Sequence, residues 1–324
     1  MLTQFFSGVH GLRAAAAMLV LFSHALYFAN NHVTTPGQVW LGRAGVILFF
    51  AISGFVIALQ RQKPVLTFVR HRATRIYPAY WIALALEAAL FTAIGISASV
   101  TPDVVLLYPA VPQRLATSIP YWTLTFEVTF YFVAALLFSM RLSDRQLTMI
   151  AVLWIVAVNL IGAEPLNEAG FGFPGPKILL SPAMQVLPLG LICGIHFERL
   201  RQMSRAAGIA VALGGLTISY FLPDITSARM LALGIGSAGL ILAVADCGIP
   251  RFVRRLGDAS YGIYLIHFPI MVAISPFVSL AWLTMATLAC GTLYGLFDFW
   301  LHGLLVKRRA TGSAVCAAQE SGAP

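Results

Sequence analysis

The chain has 324 residues, of which 59% are hydrophobic and only 10% charged, and it carries a formal charge of +9. A soluble domain usually holds about 25% charged residues, so this composition excludes a mainly soluble fold and puts most of the chain in lipid. A basic balance can mark a nucleic-acid partner when the charge gathers on a soluble face; here Lys and Arg sit in short loops between apolar runs, and no such partner is expected.

A membrane helix needs about 20 apolar residues, and ten runs of that kind are predicted. They lie near 10–29, 40–60, 76–97, 121–140, 147–163, 178–197, 206–222, 229–246, 260–279 and 281–305. The fold class is therefore all-α and polytopic, with about ten transmembrane helices. No basic n-region precedes the first run, so it is expected to stay as an anchor and not to be cleaved as a signal peptide. Residues 1–309 form one transmembrane domain, and the small, polar stretch 310–324 is expected to be a disordered cytoplasmic tail. Cys193, Cys247, Cys290 and Cys316 show no CxxC spacing and read as structural thiols.

Orientation follows from the basic residues. One set of loops carries Arg61, Lys63, Arg70, Arg72, Arg75, Arg141, Arg145, Arg199, Arg201, Arg205, Arg251, Arg254, Arg255, Lys307, Arg308 and Arg309. The alternate loops hold only Arg43, Arg114, Lys177 and Arg229. The richer side is cytoplasmic by the positive-inside rule. Both termini then lie inside, and the expected location is the bacterial inner membrane. Of the far-side loops, 164–177 fits a link better than a lid, since Gly and Pro are ordinary loop punctuation.

Ionisable side chains within a span are costly and usually functional. The first span holds Arg13 and His24. Eleven residues return nearly to the same helix face, about 16 Å further on. The fourth span starts after Ser118 and Pro120, a plausible N-cap and first turn. Glu127 lies about 12 Å below that entrance by the same rise, which sets it at a depth similar to that of His24, with Tyr131 one turn away. His267 lies in the ninth span, about 10 Å above Ser260. A neutral histidine can take a proton from a hydroxyl, and a carboxylate can orient it. His24 and Glu127 are thus the candidate catalytic pair. Each of these residues also fits a structural polar contact. No close ligand pair such as HxxxH is present, so no metal is expected. Glu87, Asp298 and His302 are weaker signals.

Residues 61–78 read RQKPVLTFVRHRATRIYP. Arg72 and Arg75 are neighbours on a helix, and like charges side by side repel unless an anion lies between them. Arg suits bidentate phosphate contacts, and coenzyme A carries phosphates. Positive-inside anchoring explains the charge as well, but not the spacing.

These segments resemble, in order along most of the chain, the acyltransferase-3 family of integral membrane acyltransferases. GLRAAAAMLVLFSH supplies a basic residue and a histidine eleven on, Arg13 and His24. FFAISGFVIA supplies Ser53, Gly54 and Phe55. FVRHRATRIYPAYW supplies Arg72, Arg75, Tyr77 and Pro78. YWTLTFEVTFY supplies Trp122, Glu127, Phe130 and Tyr131. GDASYGIYLIHFP supplies Ser260, Tyr261, Tyr264, His267 and Pro269. The resemblance implies ten spans, a cytoplasmic acyl-CoA donor, expected to be acetyl-CoA, and O-acylation of a glycan or lipid-linked saccharide. The WTLTFE form looks most like the branch that acylates exopolysaccharide units, whose assembly machinery is a candidate partner. It implies His24 and Glu127 as catalytic residues and Arg13, Arg72, Arg75 and Tyr77 at the donor. Ser53, Trp122, Tyr131, Tyr264 and His267 take substrate-binding or structural places. In the last span LFDFWLH replaces the family's Glu-x-Pro, and no role passes to Asp298. The alternative is a proton-coupled secondary transporter or exporter of a small acid or glycan precursor, which would more often show paired halves and broken helices. A scaffold in a polysaccharide synthase complex leaves the Arg13–His24 register unexplained.

Overall fold

Within a bilayer every backbone polar group must be satisfied by the segment itself, which leaves apolar runs the choice of helix or closed barrel. The computed structural model describes residues 6–97, 100–109, 121–162 and 175–320, with backbone alone beyond 305, and every regular element among them is helical. In chain order they are α1 Ser7–Ala29, α2 Pro36–Ala58, α3 Val65–Ala93, α4 Pro102–Leu106, α5 Trp122–Ser139, α6 Asp144–Leu160, α7 Val186–Ile195, α8 Phe197–Leu200, α9 Arg205–Phe221, α10 Ser227–Val244, α11 Arg251–Ile274 and α12 Leu280–Glu320. Among the described residues, seven helices are long and apolar enough to cross a membrane. Phe132, Leu160 and Phe221 face outward, as lipid-contacting side chains do. The protein is an all-α polytopic membrane protein.

Three helix boundaries differ from the sequence expectation. First, α3 begins at Val65, directly after Pro64, so the basic stretch with Arg70, Arg72 and Arg75 is helix and not loop. Pro64 ends the preceding turn and pre-sets the first helical one. Second, the expected span 178–197 is broken: a 3₁₀ turn over Gly175–Leu180 leads into turns and then the short α7. Pro182 has no N–H to continue a helix across the break, and Ser181 Oγ accepts from Met184 N at 3.3 Å there. Third, the α12 backbone continues to Glu320, where the sequence reads as a disordered tail from residue 310.

The site rests on a few close helix contacts. α1 packs against α2 and α11, α11 against α12, and α2 against α7. Close approach needs small residues. A side chain at Gly54 would strike the α7 carbonyl of Leu187, and one at Gly190 would strike Ala51. Glycine at position 54 thus seats α7 on one face of α2 while Ser53 turns to another. Gly262 and Gly295 abut in the same way between α11 and α12. At the end of the bundle where α1, α3 and α11 begin, Arg61 bridges to Asp144 at 2.7 Å, tying the end of α2 to the start of α6. That guanidinium holds the Asp144 carboxyl below its ordinary value.

Candidate active site

A cavity of about 220 Å³ lies among α1, α2, α3, α5 and α11. Polar residues on its wall include Arg13, Ser53, His71, Arg72, Arg75, Glu127 and Tyr131, with Thr123, Tyr261 and Tyr264 towards the centre of the bundle. At 1.5 Å per residue, Arg13, Arg72 and Arg75 stand about 9–15 Å from the starts of their helices. The cavity therefore occupies the basic half of the bundle.

Inside it, α2 and α5 meet through one carboxylate oxygen. Glu127 Oε1 accepts from Ser53 Oγ and from Tyr131 OH, each at 2.5 Å. Glu127 and Tyr131 share a helix face because they are one turn apart. Arg13 Nε donates to Ser260 Oγ at 3.2 Å, and that hydroxyl donates on to Gly257 O at 2.7 Å. Arg13 therefore points into the bundle and not out to headgroups. Arg72 lies over the Tyr131 ring, 5.5 Å from its centre.

Arg75 is spent on another partner. It pairs with Asp298 of α12 at 2.6 Å, with the carboxylate 3% exposed, and it lies over the Tyr261 ring at 4.9 Å. The anion between Arg72 and Arg75 that the spacing suggested is thus replaced, for Arg75, by Asp298 of the chain itself. Three guanidiniums against the carboxylates of Glu127 and Asp298 leave the cavity one positive charge in excess, which favours an anionic ligand.

His24 stands elsewhere. It lies about 16 Å along α1 from Arg13 and is not part of the cavity wall. Its Nδ1 meets His267 Nε2 at 2.9 Å, and His267 Nδ1 meets the Tyr264 carbonyl at 2.7 Å. The rings stack with centroids 5.1 Å apart, and Phe268 closes the other side of His24 at 5.3 Å. On the cavity wall next to this pair stands Tyr264, its ring centre 5.7 Å from that of His267 and 5.8 Å from that of Phe49. Tyr264 OH is shared with Thr123 Oγ1 at 2.6 Å.

The expected depth of Glu127 is therefore corrected. Its partner Ser53 sits five residues from the end of α2, level with Arg13, and Thr123 already reaches Tyr264. α5 thus starts inside the bundle, which carries Glu127 about three turns away from His24. The carboxylate bonds to Ser53 and Tyr131, and the ring partner of His24 is His267. Ser118 and Pro120, on which the depth argument leaned, lie outside the described residues.

Two other candidates stand off the cavity. Tyr77 donates to Leu106 O at the end of α4 at 2.9 Å and leans on Trp81. Trp122 packs edge-on against Phe126 at 5.5 Å. Among the described residues no three His, Cys, Asp or Glu side chains gather as a metal site. Sequence reasoning missed Phe49, His71, Thr123 and Tyr261 as wall residues. Tyr261 and His71 were legible as neighbours of Ser260 and Arg72, whereas Phe49 carries no signal apart from apolar membrane helix.

The acyltransferase domain profile matches residues 6–301. The exopolysaccharide production protein ExoZ of Rhizobium meliloti is 29% identical, over 91% of this chain and 96% of that one. The acyltransferase MdmB of Streptomyces mycarofaciens is 24% identical, over 94% and 93%. The O-acetyl transferase of Shigella phage Sf6 is 23% identical, over 92% and 93%. No solved structure matches. With the profile spanning nearly the whole chain, over the cavity and both histidines, the chain belongs to the acyltransferase-3 family of membrane acyltransferases.

Proposed function

We propose that this protein moves an acetyl group from acetyl-CoA to a hydroxyl of an exopolysaccharide unit, polymeric or lipid-linked, at the bacterial inner membrane. The chain then spans the membrane ten times, with its basic end and both termini cytoplasmic. Among the relatives, ExoZ is named for exopolysaccharide production and the phage Sf6 protein for O-acetyl transfer. One observation carries the reading: a cavity with excess positive charge in the basic half of the bundle, whose Tyr264 wall adjoins a histidine pair.

The donor enters from the basic end. Arg72 and Arg13 meet its phosphates, and Arg75, neutralised by Asp298, shapes the wall. Phe49 and Tyr264 close the cavity beneath the histidines, so the rings turn aside to let the thioester reach His24. The acceptor hydroxyl gives its proton to the His24 ring as its oxygen bonds to the thioester carbon. The carbon–sulfur bond then breaks, and the thiolate leaves with the proton that His24 returns. Glu127, fixed by Ser53 and Tyr131, balances Arg13 and Arg72 across the cavity.

The transporter alternative expected broken helices. Among the described residues, the break ahead of α7 places no residue on the cavity wall. Purified protein in detergent, given acetyl-CoA and the host glycan, separates the two functions. Release of free CoA matched by acetyl gain on the glycan, with no membrane gradient present, supports the transferase. Gradient-dependent solute movement without CoA release would refute it.

A further inference from the structure

The two bonds of His267 constrain the proton positions on His24. The Tyr264 carbonyl has no proton to give, so His267 Nδ1, 2.7 Å away, must be the donor. A neutral His267 then has a bare Nε2. The His24 Nδ1 that faces it at 2.9 Å must carry the hydrogen of that contact. A neutral imidazole holds one N–H, so the lone pair of His24 is left on Nε2, the ring nitrogen that points away from His267. Flipping the tautomer of one ring alone would set two bare nitrogens or two N–H groups against each other at this distance, and flipping both would set a bare His267 Nδ1 against the Tyr264 carbonyl. The chain runs from a backbone carbonyl through one buried ring to a second, and each link decides the next.

The geometry points to His267 as a positioning residue that holds His24 in the Nδ1–H tautomer and so presents Nε2 as the proton acceptor. This rests on the reading of His24 as the base. The same contact continues to hold once His24 has taken a proton, since both its nitrogens then donate and His267 Nε2 still accepts. The role that a carboxylate plays in a serine-hydrolase triad is here filled by a neutral ring, itself oriented by main chain. His267 is 1% exposed, so water does not replace it as the acceptor. Tyr264 couples this arrangement to the cavity: its carbonyl orients His267 while its ring, with Phe49, forms the barrier between donor and base.

The test uses the full-length protein in lipid nanodiscs with ¹⁵N-labelled histidine. The ring nitrogens of His24 are assigned by loss of their signals in His24→Gln. The wild type is expected to show protonated Nδ1 and bare Nε2. His267→Gln keeps an acceptor oxygen near the position of Nε2; it should hold that tautomer and retain kcat to within about tenfold. His267→Met fills similar volume without an equivalent acceptor. It should release the tautomer and lower kcat about 10²–10⁴-fold, the usual worth of a general base, with KM for acetyl-CoA unchanged. Protonated Nε2 in the wild type overturns the proposal. So does a folded His267→Met with wild-type kcat, or one whose loss of activity His267→Gln shares in full. A wild type with the expected tautomer but no transferase activity would instead sink the functional reading and leave the geometry standing.

Discussion

Ser53 Oγ and Tyr131 OH converge on one oxygen of Glu127, at 2.5 Å each, and this three-way contact joins α2 to α5 within the cavity wall. A hydrogen bond to a charged group contributes about 1.5–3 kcal/mol. Ser53→Ala or Tyr131→Phe alone should lower thermal stability by about that amount. The double variant should lose more than the sum of the two, because it strips the carboxylate of both donors. Thermal unfolding in a fixed detergent measures this, and strict additivity would show that Glu127 draws its support elsewhere.

The Arg75–Asp298 pair should respond as a buried ion pair. Removing one partner leaves an uncompensated charge and costs about 3–5 kcal/mol, whereas replacing both with apolar residues costs much less. Arg75→Met should therefore destabilise the protein strongly, and Arg75→Met with Asp298→Leu should recover most of the loss. Equal unfolding temperatures for the single and the double would contradict the pairing.

Arg72 lies over the Phe68 and Tyr131 rings at the cavity wall. Arg72→Ala should raise the apparent constant for acetyl-CoA about tenfold to a hundredfold, for the loss of one charge-assisted contact. The constant for the glycan should stay where it is. An unchanged donor constant would leave Arg72 a membrane anchor only.

Arg61 and Asp144 form an ion pair with the Asp144 side chain 48% exposed. Such pairs contribute about 0–1 kcal/mol, so Arg61→Ala should hardly change stability. The sign of its pH dependence is fixed. The Asp144 carboxyl sits below its ordinary value because Arg61 donates to it. The small contribution is thus complete above that ordinary value and fades as pH falls through the lowered one. A large acid-side loss that Arg61→Ala abolishes would contradict this.

Much of the fold was legible because lipid enforces simple rules. Apolar length gave the helices, and the eleven-residue spacing of Arg13 and His24 gave one stripe on α1. The sequence could not show where α5 begins relative to its neighbours. Rise per residue converts position to depth only when the helix start is known, and the segment before Trp122 was assumed to lie at the membrane rim. That assumption set Glu127 beside His24, whereas packing set it beside Ser53. Asp298 was visible as an acid in a span, but its pairing with Arg75 joins residues 223 apart in sequence, which no local pattern encodes. Tyr77 sits inside a persuasive motif, and its bond to Leu106 O of α4 is likewise invisible to local pattern.

In the proposed reaction His24 removes the acceptor proton. Acetyl transfer by purified His24→Ala, followed by mass analysis of the glycan, tests it most directly. The variant should lose about 10²–10⁴-fold in turnover, with the unfolding temperature and the affinity for acetyl-CoA both retained. A folded His24→Ala that acetylates the glycan at near the wild-type rate would contradict it.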